Sequence, residues 1–158
     1  EVNAMLDVDE FIHRAKSIYR YPHFINDAGG SICSFSDEEC WNRLSASTLV
    51  LYLEANEDME EVLIERARKH PKPMNYEEDF LDQHLVEYLE QNGLESTNEI
   101  VPDEFVQWIF PCLLSWRRPQ YRGIAERHGH IADASKIPGL RDQQDFLEFV
   151  CEAIDAGS

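Results

Sequence analysis

Apolar residues recur at helical spacing over residues 4–19, where Met5, Val8, Phe11, Ile12, Ala15, Ile18 and Tyr19 would share one face. Tyr21-Pro22 is expected to end that helix, because the residue before a proline is pushed out of the helical region. His23-Phe24-Ile25-Asn26 is a short apolar run stopped by Asp27-Ala28-Gly29-Gly30, which predicts a strand entering a tight loop. Ser36-Asp37-Glu38-Glu39 has the form of a capping box, opening a helix with Cys40, Trp41 and Leu44 turned inward. The clearest strand is Thr48-Leu49-Val50-Leu51-Tyr52-Leu53, continuously apolar and rich in β-formers, as a strand covered on both faces should be. Asn56 then predicts the N-cap of a helix carrying Met59, Val62 and Leu63 on one side.

His70-Pro71-Lys72-Pro73 must be a loop, since two closely spaced prolines cannot continue a helix. Asn75-Tyr76-Glu77-Glu78 caps a further helix with Phe80, Leu81, Leu85, Tyr88 and Leu89 as its buried stripe, and Gly93 sits where a left-handed C-cap belongs. Pro102-Asp103-Glu104 suits a first helical turn. The long helical stretch behind it is expected to kink or divide at Pro111 and Pro119 and to close at Gly129. His130–Asp133 reads as a last short strand and residues 141–155 as a last helix. Three strands and about six helices in alternation predict a helix-rich α/β domain over residues 1–158, with a short parallel sheet flanked by helices; a mostly helical domain is the structural alternative.

Charge changes this picture more than composition does. Fourteen basic against thirty-one acidic side chains give a net charge of −17, a field that repels nucleic acid and anionic membranes. The basic residues gather in two islands, Arg66-Arg68-Lys69-Lys72 and Arg117-Arg118-Arg122-Arg127, which suit a small anionic ligand or serve as solvated helix faces. No apolar run approaches the ~20 residues of a spanning helix. The scattered cysteines Cys33, Cys40, Cys112 and Cys151 show no metal-ligand spacing and fit buried free thiols in a cytoplasmic protein. His128-Gly129-His130 with Asp133 offers a metal alternative to a polar loop, and no metal site is expected there. Neither a G-x-S-x-G elbow nor a cysteine–histidine signature is present.

Four features taken in order carry a family resemblance: the run Phe24–Ser31 ending in glycines; the strand and helix from Leu49 to Arg68; the basic, proline-containing loop Arg68–Met74; and Arg117-Arg118-Pro119-Gln120-Tyr121 with Ile124-Ala125. Over residues ~23–155 the chain resembles the later part of shikimate-kinase-like P-loop small-molecule kinases. That resemblance implies Gly29 and Gly30 lining an acceptor substrate and Arg117 clamping an acidic group on it. It places Lys72 in a mobile lid, Arg66 or Arg68 near adenine, and Asp27 near magnesium, with ATP and Mg²⁺ as the implied cofactors.

The chemistry is coherent, because phosphoryl transfer needs positioning and positive charge around a developing anion. Glycine permits close backbone approach, and arginine binds carboxylates through paired hydrogen bonds. The family's opening strand and its G-x-x-x-x-G-K-[ST] loop have no counterpart here. Leu6-Asp7-Val8-Asp9 is similar to the family's D-x-D segment but lies too close to the glycines, so Asp7 and Asp9 read as ordinary exposed acids. The expected function is therefore the acceptor-binding and lid portion of a kinase-like ATPase, binding a small anionic ligand or nucleotide. Catalysis would require a missing N-terminal segment, an expectation that the start at Glu1 reinforces, and a protein partner or self-association would complete the sheet. The alternative is a non-catalytic acidic module that works by protein contact.

Overall fold

A computed structural model describes residues 5–157, with the Ser31 side chain left aside. Its elements are α1 (Val8–Ser17), α2 (Glu38–Ser47), β1 (Val50–Glu54), α3 (Glu57–Lys69), α4 (Glu78–Asn92), α5 (Pro102–His128), β2 (Gly129–Asp133) and α6 (Gln143–Ala156), with short 3-10 turns at Gly30–Ser34, Thr97–Glu99 and Ala134–Gly139. Helices dominate, and β1 and β2 pair as a short parallel sheet flanked by them. The expected strand at His23–Asn26 does not form: this stretch is exposed and irregular. A short apolar run becomes a strand only where a neighbour satisfies its backbone N–H and C=O groups, and no described strand lies beside it.

The chain falls into two compact units. One gathers the chain up to Leu53, Tyr121–Ala132 and the segment from Arg141. Its buried residues include Val8, Ala15, Cys40, Trp41, Ile124, Ala125, Phe149 and Ala153. Arg43 Nε bonds Asp9 at 3.2 Å and so links α2 to α1. Trp41 packs inward and donates its indole N–H to the Phe35 carbonyl at 3.0 Å. The apolar stripe expected over residues 4–19 is only partly buried: Val8 and Ala15 are buried, whereas Phe11, Ile18 and Tyr19 are exposed. The helix ends at Ser17, ahead of the expected Tyr21-Pro22 stop, and Arg20 turns left-handed at φ 56°.

The other unit holds Glu54–Gln120 and Asp133–Leu140. Its core is an aromatic–aliphatic cluster of Phe80, Tyr88, Phe105, Ile109 and Leu113, with Trp108 and Trp116 packed against it. The caps follow the sequence closely, with shifts of a residue or two. Asn56 accepts from Met59 N–H as expected. Glu77 caps α4 by accepting from Phe80 N–H, and Gly93 ends it at φ 63°. In the first unit Asp37, rather than Ser36, caps α2 through Cys40 N–H. Neither Pro111 nor Pro119 divides α5, which runs unbroken for 27 residues. Each proline forfeits one helical hydrogen bond, while Ile109 and Leu113, 0% and 1% exposed, hold the segment in the core. No helix among the described residues is long and apolar enough to cross a membrane.

Candidate functional site

The candidate residues divide between the units: Asp27, Gly29 and Gly30 fall in the first, and Arg66, Arg68, Lys72 and Arg117 in the second. In the first unit the glycine loop is tied down by a residue of the Arg-Arg-Pro-Gln-Tyr segment. Tyr121 donates its hydroxyl proton to the Gly30 carbonyl at 2.5 Å, and the buried Cys33 thiol lies 3.3 Å from the same oxygen. The Tyr121 ring stacks on Tyr52 of β1, centroids 5.4 Å apart, so the loop is referenced to the strand through one aromatic pair. Gly29 has φ −63°, a conformation open to any residue, and its neighbour Gly30 begins the 3-10 turn. Asp27 is exposed at the loop.

In the second unit the lid-like loop between α3 and α4 is strapped at both ends to α5. Gln107 donates from Nε2 to the Arg68 carbonyl at 2.8 Å, and Arg117 donates from Nη2 to the Asn75 carbonyl. Pro71 and Pro73 stiffen the span between the straps, with Lys72 exposed between them. Lys72 and Arg66 make no ion pair with a described residue, whereas Arg68 and Lys69 approach Glu65 at 3.9 and 3.1 Å. Arg118 pairs with Glu60 of α3.

Arg117 is 7% exposed, and its Nε is buried without a hydrogen-bond partner among the described residues. The nearby Tyr76 hydroxyl is also buried and unpartnered. Burial pushes the Tyr76 phenol up, and the Arg117 charge partly offsets this. A guanidinium held by one neutral carbonyl, beside a second unmet polar group, leaves room for a stronger, anionic acceptor. The exposed cations Arg66 and Lys72 suit phosphate or carboxylate equally. The described residues therefore fit an anion, but no phosphate-cradling loop of the kind the cofactor ATP implies accompanies them. No group of three or more His, Cys, Asp or Glu among the described residues is placed to hold a metal ion.

In the His128-Gly129-His130 segment, His128 packs against an aromatic ring, stacking on Trp41 at 5.7 Å, and faces Glu38 at 3.4 Å. The Nδ1 of His130 is buried beside Gly157, and hydrogen bonds from Ser135 hold the Asp133 carboxyl low. Cys151, expected to be buried, is exposed on α6.

Three features escaped the sequence reading. The Gln107 strap and the Tyr121–Gly30 bond join residues far apart in sequence. A groove on the α4–α5 pair, lined by Phe80, His84, Cys112, Ser115 and Trp116 with Glu77 and Asp79, also went unseen. Its signal lay in the i,i+4 pairs Phe80/His84 and Cys112/Trp116, each of which shares one face of its helix. No protein family, characterised protein or solved structure matches the chain.

Proposed function

We propose that this chain is the acceptor-binding and lid portion of a P-loop kinase-like ATPase, taking a small anionic ligand or nucleotide. Phosphoryl transfer would require a phosphate-loop segment paired along the second edge of β1, which no described strand occupies. The observation that carries the reading is Arg117: a buried cation whose Nε lacks an acceptor and whose Nη2 holds the Asn75 end of the lid-like loop. A carboxylate or phosphate is a stronger acceptor than a peptide carbonyl. An arriving anion would displace Asn75, release that strap and let Lys72 close over the ligand.

The test is the thermal stability of the chain with and without Mg-ATP, ADP and a panel of small carboxylates. A ligand of the native state at 100 times its dissociation constant adds about 2.7 kcal/mol. The expected result is an upward shift that weakens in Lys72→Ala, an exposed change that spares the fold, and in Arg117→Lys, which keeps the charge but loses the planar fork. A melt that none of these anions moves would overturn the reading. It would favour the non-catalytic contact module, for which the supporting observation is that eight of the twelve exposed large apolar residues among the described ones lie in the first unit.

A further inference from the structure

The groove on the second unit presents chemistry opposite to that of Arg117. It is an open depression, and no lysine or arginine lines it. Phe80, His84 and Trp116 are among its lining residues, with Phe80 lying 4.1 Å from His84 and 5.0 Å from Trp116, centroid to centroid. Glu77 and Asp79, in the first turn region of α4, add carboxylates to the lining. His84 Nδ1 lies 2.7 Å from the Phe80 carbonyl, which can only accept. The imidazole proton therefore sits on Nδ1, leaving Nε2 as an acceptor in the neutral ring. Ser115, whose carbonyl Pro119 cannot bond for want of an N–H, also lines the groove.

We infer that this groove binds a small organic cation bearing N–H donors, a guanidinium or primary ammonium on a short apolar body. Aromatic faces attract cations through their quadrupoles, and carboxylates with unfilled lone pairs take their N–H groups. Charge complementarity extends beyond the lining, since the whole chain carries −17. This inference is independent of the anion reading at Arg117, because the two call for ligands of opposite charge.

The probe is n-butylguanidine, titrated into the full chain while the indole N–H signals of Trp41, Trp108 and Trp116 are followed by NMR. n-Butylurea serves as the uncharged planar isostere. Butylguanidine is expected to saturate at millimolar concentration and move the Trp116 signal while leaving Trp41 unchanged. Butylurea should bind at least about tenfold more weakly. Asp79→Asn, an exposed change that leaves the core intact, should weaken butylguanidine about fivefold, whereas Asp155→Asn on α6 should not. Equal effects of urea and guanidine would overturn the inference. So would equal losses in the two Asp→Asn variants, which would mean diffuse attraction to an acidic surface, and so would a silent Trp116.

Discussion

Gly129 follows the last residue of α5, as expected of a helix-stopping glycine, and it also meets a stricter steric demand. A Cβ there would lie 2.3 Å from the Val50 carbonyl oxygen and 2.8 Å from the Val50 Cβ, so β2 approaches β1 only because the side chain is absent. Gly129→Ala is expected to cost about 1–3 kcal/mol, the range for forcing an extra methyl into a packed site. Gly139→Ala, with nothing within 4 Å of the added atom, is the matched control and should change little. Chemical denaturation of both variants checks this, and equal midpoints would mean that the strand contact relaxes freely. Arg117 teaches a related lesson. Its residue type and motif were legible, and they pointed to anion recognition. Its burial was not legible, because the Asn75 carbonyl that holds it lies 42 residues away in sequence. Truncating it would therefore disturb packing as well as the proposed anion contact, which makes Lys72 the cleaner probe.

The elements show where local sequence suffices and where it does not. Asn56 and Gly93 cap as read, because capping is satisfied within one turn of the helix it serves. The Thr48–Leu53 run yields a strand because β2 pairs with β1, whereas His23–Asn26 carries a similar apolar signal without a described neighbour and stays irregular. Strand formation depends on a distant partner, and nothing in a four-residue run announces one. In α5 tertiary packing kept one helix through Pro111 and Pro119, so of the expected kink or division the division does not occur. That override has a cost, since proline in a helix interior is about 3 kcal/mol less favourable than alanine. Pro119 is exposed, so replacing it disturbs no buried contact. Pro119→Ala restores a donor to the Ser115 carbonyl and is expected to stabilise the fold by about 1–3 kcal/mol, read as a raised denaturation midpoint. A lowered midpoint would mean that the helix uses a bend at Pro119 that alanine cannot supply.

At the scale of the whole molecule, charge is the dominant unbalanced quantity. Thirty-one acidic side chains face fourteen basic ones, so most carboxylates have no cation to pair with, and compaction brings them closer together. Several cations sit in exposed pairs such as Arg14–Glu10 and Lys69–Glu65, each of a type worth about 0–1 kcal/mol. Salt acts on both terms with opposite sign: it weakens these few pairs and relieves the far more numerous repulsions. The screening length falls from about 30 Å at 0.01 M to about 8 Å at 0.15 M ionic strength. Repulsions between charges many ångströms apart are then lost almost entirely, while pairs held at 3–4 Å keep much of their attraction. The thermal midpoint is therefore expected to rise with sodium chloride over that range, by about 2–4 °C for each kcal/mol of repulsion removed, and to level off above it. Uncharged sucrose at matched osmolality separates this from general exclusion effects. A midpoint that falls with salt would mean that the ion pairs, including Arg118–Glu60 between α5 and α3, outweigh the repulsion across the surface.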